Sequence, residues 1–325
     1  MTDPLTPLLS TVDGTAVAAR RGDEDFLLTS GTTARGGALP VRSDTRFEIG
    51  SLTKTFTALL LAEMVARGEV GYDDPVERYL PRECAPRAPI TLVRLATHSS
   101  GLPKLPPGLW RSALPAWFTN PYRAFTARDV LAAVPRARPR PGVRYSNFGV
   151  GLLGHLLARA AGCPFEELLT ARVLRPLGLP DTGCAPAPQA TGYWRGRPRP
   201  PWEIPGLPAA GALRSSARDM LRYLTAHLNP SATPLERALT EVTRPRVALP
   251  GGADHLCLVW NHRARPGHEL LFHSGGTRGF TSFAGFSPRA GTALVALVNT
   301  GPTLRGTFIQ RSYEALRTLA TLAPA

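Results

Sequence analysis

The residues best suited to chemistry lie where a short apolar stretch, Phe47 to Ile49, turns into a helix-like segment. Ser51 and Lys54 are three positions apart there, and an amphipathic apolar pattern follows until Gly68, a residue suited to end a helix. Ser51 is therefore predicted at a helix N-terminus, where free N–H groups can stabilise an oxyanion. Lys54 is predicted to lie over Ser51, and desolvation there would lower its pKa and let it act as a base.

The same pair is open to a purely structural interpretation, because serine often caps a helix and lysine is often solvated on one. The use of basic residues favours the chemical interpretation. Of the 38 Lys and Arg residues, only Lys54 and Lys104 are lysine. Arginine stays protonated in proteins, whereas a buried lysine can lose its proton. Lysine at position 54 therefore fits a site that needs a proton acceptor.

Two further motifs supply the rest of what acyl transfer needs. Tyr145-Ser-Asn147 opens a second predicted helix, and His273-Ser-Gly275-Gly276 follows a predicted strand. Acyl transfer requires a nucleophile, a base, a second N–H donor for the oxyanion and a group that orients the substrate. The two glycines let a substrate approach the backbone closely. The three motifs together therefore point to an acyl-transfer site.

In their order and composition these motifs resemble those of the serine β-lactamase and penicillin-binding-protein superfamily. The closest resemblance is to its class C branch, with the related esterases, D-aminopeptidases and acyltransferases. Ser-x-x-Lys, Tyr-x-Asn and Lys/His-x-Gly are matched in the family's order by Ser51/Lys54, Tyr145/Asn147 and His273/Gly275. The resemblance covers about residues 40 to 320 and extends to four flanking stretches: Asp73 to Pro81, Ile90 to Pro103, Pro176 to Leu179 and His273 to Phe280.

The resemblance implies a catalytic role for three of these residues. Ser51 would be the nucleophile that becomes acylated. Lys54 would share its proton and position it. Tyr145, as a phenolate or through Lys54, would be the general base for acylation and the acid for the leaving group.

The resemblance also implies how substrate is bound. Asn147 would hydrogen-bond the acyl side of the substrate or Lys54. The N–H groups of Ser51 and Gly276 would form the oxyanion hole, and Gly275 would also contribute to substrate binding. His273 would orient Tyr145 or bind substrate, and an ionisation of its ring between pH 6 and 7 is expected to affect turnover. It stands where secreted β-lactamases usually have lysine, so a permanent cation that helps bind a β-lactam carboxylate is missing.

The elements that must position these residues form an α+β pattern. Predicted strands lie near both ends of the chain and predicted helices in the middle, which indicates an antiparallel sheet flanked by N- and C-terminal helices with an inserted all-helical lobe, as in β-lactamase/transpeptidase-like folds. We predict one catalytic domain with a sheet lobe, residues 1–75 and 245–325, and a helical lobe, residues 76–244. The strands are expected at 15–20, 25–30, 256–260, 269–273, 281–286 and 292–299, and a terminal helix at 303–322.

Two irregular stretches, residues 104–125 and 185–208, are rich in proline, arginine and tryptophan. The first is predicted to be either a binding loop over a cavity or a packed surface loop. The tryptophans of both stretches, which would exclude water and build an acceptor pocket or simply pack, are Trp110, Trp117, Trp194 and Trp202. His98 is a further catalytic candidate, for which a satisfied helix end is the simpler interpretation.

The net charge of +14 and the pI of about 10.7 invite a nucleic-acid interpretation. The arginines form no basic helix face and no base-stacking motif accompanies them, so we expect no nucleic-acid partner. No stretch has transmembrane length, and the N-terminal residues lack the basic and apolar regions of a signal peptide. The four cysteines show no metal-binding spacing. We therefore expect a cytoplasmic protein with reduced thiols, no membrane association, no metal and no cofactor.

The sequence thus predicts a serine hydrolase of esterase or amidase type that acts on a small-molecule ester or amide through a Ser51 acyl-enzyme. One alternative is an acyltransferase that passes the acyl group to an amine or alcohol. Another is a non-catalytic binding or sensor module on the same fold. Oligomeric state and substrate identity have no signature in the sequence.

Overall fold

The computed structural model describes residues 4–9, 13–116, 119–185, 188–265 and 267–321. The strands are β1 Thr15–Arg21, β2 Glu24–Ser30, β3 Phe47–Glu48, β4 Gly192–Trp194, β5 Arg197–Arg199, β6 Arg214–Ser215, β7 Val247–Ala248, β8 Asp254–Leu256, β9 Asn261–Arg265, β10 His268–Gly276, β11 Thr281–Ser287 and β12 Thr292–Val298. The α-helices are α1 Thr53–Ala66, α2 Leu92–Ala96, α3 Leu109–Ala113, α4 Ala127–Ala133, α5 Asn147–Ala161, α6 Phe165–Leu169, α7 Pro208–Gly211, α8 Ala217–Leu228, α9 Glu236–Val242 and α10 Thr307–Thr321.

Eight of these strands form one sheet in the order β2-β1-β12-β11-β10-β9-β8-β7. Neighbouring strands pair antiparallel, and β1 lies beside β12 with Thr15 opposite Val298. Both ends of the chain therefore build the same sheet, which confirms the predicted α+β class. The predicted N-terminal hairpin is also present, as β1 and β2.

Strand β12 is buried along its whole length, and it is apolar from Ala293 to Val298 because both of its faces are covered. Leu294 and Ala296 pack in a cluster with Leu316 of α10. Val295 and Leu297 belong to the larger core cluster on the other face, where α8 contacts β1, β11 and β12. The sheet thus has helices on both faces. The C-terminal end of β10 carries the two glycines of the predicted site, Gly275 and Gly276.

Helix α1 differs from the predicted amphipathic helix in being buried almost all round. Thr53 to Met64 are all buried, because α5, α6, α7 and α9 pack around α1. Ser51 lies just before it, in the 3-10 turn Gly50–Leu52. Gly68 follows the helix with φ +73°, as its predicted role at the helix end requires.

Polar side chains cap helices in the middle of the chain. Ser216 caps α8 by accepting the Asp219 N–H, and Thr126 and Asp129 form a capping box on α4. Helix α6 continues into a π-helical turn, Thr170–Leu174. Helix α8 packs on the sheet, although it belongs to the segment 76–244 that was predicted to form the helical lobe. The division into two lobes stays a prediction.

Three sequence predictions differ from the structure. The segment 76–244, predicted to be an all-helical lobe, also contains the short strands β4, β5 and β6. Residues 257–260 are not a strand, because Val259 has φ +67° and the chain turns to bury Trp260 against Phe286. The last helix begins at Thr307 rather than at 303, after a turn in which Gly306 has φ +58°. Its predicted end at 322 lies outside the described residues.

Across the described ranges, no single helix has the length and apolar character needed to cross a membrane. The helices Asn147–Ala161 and Phe165–Leu174, bent by 82° relative to each other, meet the length and composition test only as a pair.

Candidate active site

Ser51 is positioned by a close approach between its turn and the end of β10. Gly50 has φ +51°, and a Cβ atom there would lie 2.7 Å from Gly276 N. A Cβ atom at Gly275 would overlap Ile49 O and lie 2.9 Å from Ser51 N. Glycine is therefore required at 50 for conformation and at 275 for space, which brings β10 against the turn that carries Ser51.

Lys54 lies in the first turn of α1 and is fully buried. Its Nζ is 2.8 Å from Ser51 Oγ and donates to Ala210 O at 2.6 Å. Burial, with a further contribution from the charge of Lys104, sets the pKa of Lys54 well below its usual value. The amine is thus biased towards the neutral form that can accept a proton from Ser51.

Tyr145 approaches Ser51 from the start of α5. Its hydroxyl donates to Ser51 Oγ at 2.6 Å. The residue as a whole is 38% exposed. The next residue, Ser146, caps α5 by accepting the Gly149 N–H at 2.8 Å and donates to Pro103 O at 2.7 Å, which fixes this segment. Desolvation raises the pKa of Tyr145 to about 12, so the phenol keeps its proton at neutral pH.

Two histidines lie against Tyr145. His98 follows α2 with φ +55°, and its ring centroid is 4.7 Å from that of Tyr145. Its Nδ1 accepts the Ser146 N–H at 3.3 Å, so it supports the tyrosine segment, in line with the simpler structural interpretation. The His273 ring centroid is 6.3 Å from that of Tyr145.

Both histidines are buried, and both are expected to be neutral. Desolvation, and secondarily the charge of Lys54, lowers the pKa of each ring to about 3. The expected ionisation of His273 between pH 6 and 7 is therefore wrong. The residue is only 5% exposed, and the sequence alone did not reveal this burial. The neutral form of His273, which can orient a neighbour or accept a hydrogen bond, is the one present at neutral pH.

A cavity of about 450 Å³ opens beside Ser51. Asn147 lines it and donates from Nδ2 to Tyr122 Oη at 3.2 Å. Asn147 Oδ1 is buried and has no hydrogen-bond partner among the described residues. Tyr122 packs edge-on against Trp202, with ring centroids 5.6 Å apart. One wall of the cavity is thus aromatic, with an unused acceptor oxygen beside it.

The structure brings the predicted motifs to one place. Ser51, Lys54 and Tyr145 are in direct contact, Asn147 and Gly276 line the adjoining cavity, and Gly275 and His273 lie next to the nucleophile turn and Tyr145. Asn147 has no described hydrogen bond to Lys54. Within the described part of the chain, no group of three or more His, Cys, Asp or Glu residues is arranged to hold a metal ion.

Several site residues were not predicted from the sequence. The Ala210 carbonyl is a backbone group without a residue-type signature. Tyr122 was not singled out, although it belongs to the irregular stretch 104–125, which also lines the cavity at Lys104, Leu105 and Pro121. Of the four tryptophans, Trp194 and Trp202 line the cavity, Trp110 is exposed, and Trp117 lies outside the described residues.

Comparison with known proteins agrees with this geometry. The β-lactamase family model matches residues 8–318. The D-alanyl-D-alanine-carboxypeptidase/endopeptidase AmpH of Escherichia coli K12 is 29% identical over 314 residues, covering 90% of this chain and 80% of that protein. A β-lactamase of Pseudomonas fluorescens is 27% identical over 337 residues, covering 90% of each.

Solved structures show the same fold. A class C β-lactamase from Rhodobacter sphaeroides superposes with a TM-score of 0.82 at 23% identity, and a β-lactamase/D-alanine carboxypeptidase from Pseudomonas syringae with 0.81 at 24%. Each match covers 94% of both chains. With the family model matched along nearly the whole length, the chain belongs to the β-lactamase family of serine hydrolases.

Proposed function

We propose that this protein is an esterase or amidase that forms an acyl-enzyme at Ser51. One observation carries the proposal. Ser51 Oγ lies 2.8 Å from the amine of a fully buried Lys54 and 2.6 Å from the Tyr145 hydroxyl, beside an open cavity. A nucleophile, a desolvated base and a proton donor are thus in contact in one site.

The directions of the pKa shifts favour one of the two proton routes that the resemblance allows. Lys54 is biased to the neutral amine and Tyr145 to the neutral phenol. In our proposal Lys54 therefore accepts the Ser51 proton as Oγ attacks the carbonyl carbon. The N–H groups of Ser51 and Gly276 stabilise the oxyanion. Tyr145 donates its proton to the leaving group and is reprotonated through Lys54, and water then releases the acyl group.

The choice of ester or amide over β-lactam rests on His273. A buried neutral imidazole at this position offers no permanent cation for a lactam carboxylate next to Tyr145. The E. coli K12 relative is named a carboxypeptidase and endopeptidase, so peptide amides belong among the candidate substrates.

A second candidate, acyl transfer, is favoured by the aromatic cavity wall. Tyr122, Trp194 and Trp202 line the cavity, and such a wall excludes water and can hold an acceptor. Adding an amine or alcohol should then yield a transferred product faster than hydrolysis. If acyl transfer to the added amine or alcohol never competes with hydrolysis by water, hydrolysis remains the proposed function.

We also propose a cytoplasmic location. All four cysteines are free, which suits a reducing compartment. Fractionation of cells that express the full chain, with a cytoplasmic and an envelope marker, tests this directly.

The acyl-enzyme is tested by intact-mass measurement. A fluorophosphonate probe and a panel of activated esters, amides, lactams and a D-alanyl-D-alanine peptide are each incubated with the protein. We expect a single adduct that peptide mapping places on Ser51, with esters or amides giving faster acylation than lactams. No fluorophosphonate adduct would favour a binding module, and preferential acylation by lactams would favour a β-lactamase.

The pH dependence should identify Lys54, not His273, as the group that titrates. Turnover of a neutral ester should rise with pH as Lys54 loses its proton, and His273→Asn should leave the midpoint of that rise unchanged. A pH–rate profile of kcat/KM for both proteins measures this. A midpoint that moves in the variant would show that His273 is the group that titrates.

His273 should instead affect stability in acid. Its pKa is about 3 when folded, against about 6.5 when unfolded, so the unfolded chain binds the proton first as pH falls. Stability is then fully present above pH 6.5 and is lost below it, by about 2 kcal/mol at pH 5. Urea unfolding at pH 7 and pH 5 should show that His273→Asn loses less stability than the wild type.

A further inference from the structure

The cavity carries two positively charged side chains that take no direct part in the acyl-enzyme chemistry. Lys104 and Arg278 both line it, together with Ser51. Among the described residues that line the cavity, these two are the cationic ones and none is acidic. A group that enters beside Ser51 therefore meets a positively charged surface.

A hairpin within the irregular stretch 185–208 adds to this charge. Strands β4 and β5 pair through a turn in which Arg195 and Gly196 have φ +53° and +78°. The hairpin is held against the end of the main sheet, where the Tyr193 N–H donates to Asn299 O at 2.9 Å and Tyr193 O accepts the Gly301 N–H at 2.8 Å. These bonds fix Trp194, the next residue, at the cavity wall.

Three guanidinium groups surround the Trp194 indole. The Cζ atom of Arg278 is 4.4 Å from the ring centroid, and those of Arg195 and Arg199 are each 5.1 Å away. Stacking on indole stabilises each cation, but like charges gathered on one ring repel each other.

Arg199 has an unused donor, because its Nε is buried without a hydrogen-bond partner among the described residues. Burial, followed by the charge of Arg199, lowers the pKa of Arg278. An anion bound at this cluster would offset the repulsion.

The cavity also indicates which part of a substrate would carry that anion. Its described lining joins Ser51 to Arg278 and contains neither Tyr145 nor His273, so Arg278 can be reached from Ser51 without passing Tyr145. A leaving group protonated by Tyr145 departs on the Tyr145 side. The acyl group then occupies the cavity, with its far end next to Arg278.

We propose that Arg278, supported by Arg199 and Lys104, is a specificity-determining residue that binds a carboxylate on the acyl group of the substrate. This rests on the proposed acyl-enzyme at Ser51. A guanidinium binds a carboxylate through two parallel hydrogen bonds, a geometry that an ammonium group lacks. The substrate class is therefore an ester or amide of a dicarboxylic acid whose second carboxyl group is ionised.

Two matched esters test the proposal. The 4-nitrophenyl monoester of adipic acid ends in a carboxylate, and that of adipic acid monoamide ends in a neutral carboxamide of nearly the same shape. The wild type should prefer the anionic ester by about tenfold in kcat/KM, equivalent to about 1.4 kcal/mol. Arg278→Gln should abolish that preference and leave the neutral ester within about twofold of the wild type.

The matched control is Arg289→Gln, which makes the same charge change at an exposed turn between β11 and β12. It should keep the full preference. Arg278→Lys, which retains a point charge without the planar fork, should keep a preference of about threefold. An Arg278→Gln protein that treats both esters as the wild type does, or loses activity on both equally, overturns the proposal.

A binding measurement separates this proposal from the proposed function. Adipic acid monoamide and adipamide are titrated calorimetrically into the wild-type protein and into Arg278→Gln. The monoanion should bind the wild type more tightly, and Arg278→Gln should weaken it by about tenfold. Equal binding of both ligands overturns the anion site even where Ser51 is acylated. Selective binding without acylation by any ester overturns the proposed hydrolase and leaves the anion site standing.

Discussion

The Ser51→Ala variant is expected to lose about 10⁴-fold or more of the wild-type kcat/KM on any ester that acylates the protein. Oγ is the atom on which the contacts from Lys54 and Tyr145 converge. Without it those groups have no nucleophile to activate, so their contributions are lost together rather than one by one. Steady-state kinetics with intact-mass analysis measures the loss, and no adduct should form.

The fold should survive this change. The change removes two hydrogen bonds to Oγ, but Lys54 Nζ keeps its hydrogen bond to Ala210 O. We expect the unfolding free energy to fall by about 2 kcal/mol, because each lost hydrogen bond contributes about 1 kcal/mol. Ser231→Ala, which removes the same atom from an exposed serine, is the matched control and should keep full activity. Residual Ser51→Ala activity within tenfold of the wild type would show that another residue is the nucleophile.

The contact between Ser51 and Lys54 could be predicted from the sequence because it is local. A separation of three positions at the start of a helix places one side chain over the other, independently of the rest of the fold. The meeting of Tyr145 with Ser51, 94 positions away, followed only from the resemblance of the motifs. Periodicity alone predicts elements and not which distant elements touch.

What the sequence could not show depends on packing from several directions. Helix α1 has threonines on the faces that a periodicity analysis takes as polar. Thr55 and Thr57 are nevertheless buried, because their hydroxyls donate to Leu52 O and Ala209 O, each at 2.8 Å. Hydrogen bonding to carbonyls removes the cost of burying them, so α1 is central rather than peripheral.

The β4–β5 hairpin was hidden for a different reason. Its strands are only three residues long, and β5 consists of arginine and proline, so they lack the alternating apolar pattern of a strand. The hairpin depends on backbone bonds from Tyr193 to the main sheet, which composition does not reveal. The same holds for His273, whose neutral state follows from burial that only the folded chain creates.

Lys54→Arg is expected to be as damaging as Lys54→Ala, each losing about 10³-fold or more of kcat/KM. If the positive charge of Lys54 were what matters, arginine would restore much of the activity, because it keeps that charge. Lys54 is fully buried and its pKa is lowered, which favours an amine that gives up its proton. Arginine cannot do so, and recovery above about a tenth of the wild-type rate would contradict proton transfer by Lys54.

A folding defect must be separated from a lost base, since arginine is larger and its charge would be buried. Lys54→Met removes the charge and the proton acceptor while keeping an unbranched apolar chain, so it should fold stably and still lack activity. Its residual rate should also lose the rise with pH that we assign to Lys54, whereas His273→Asn keeps that rise. A Lys54→Met protein that retains the wild-type pH profile would place the titrating group elsewhere. On a neutral ester, Lys104→Arg, which exchanges the chain's other lysine at an exposed position and keeps its charge, should leave both rate and profile unchanged.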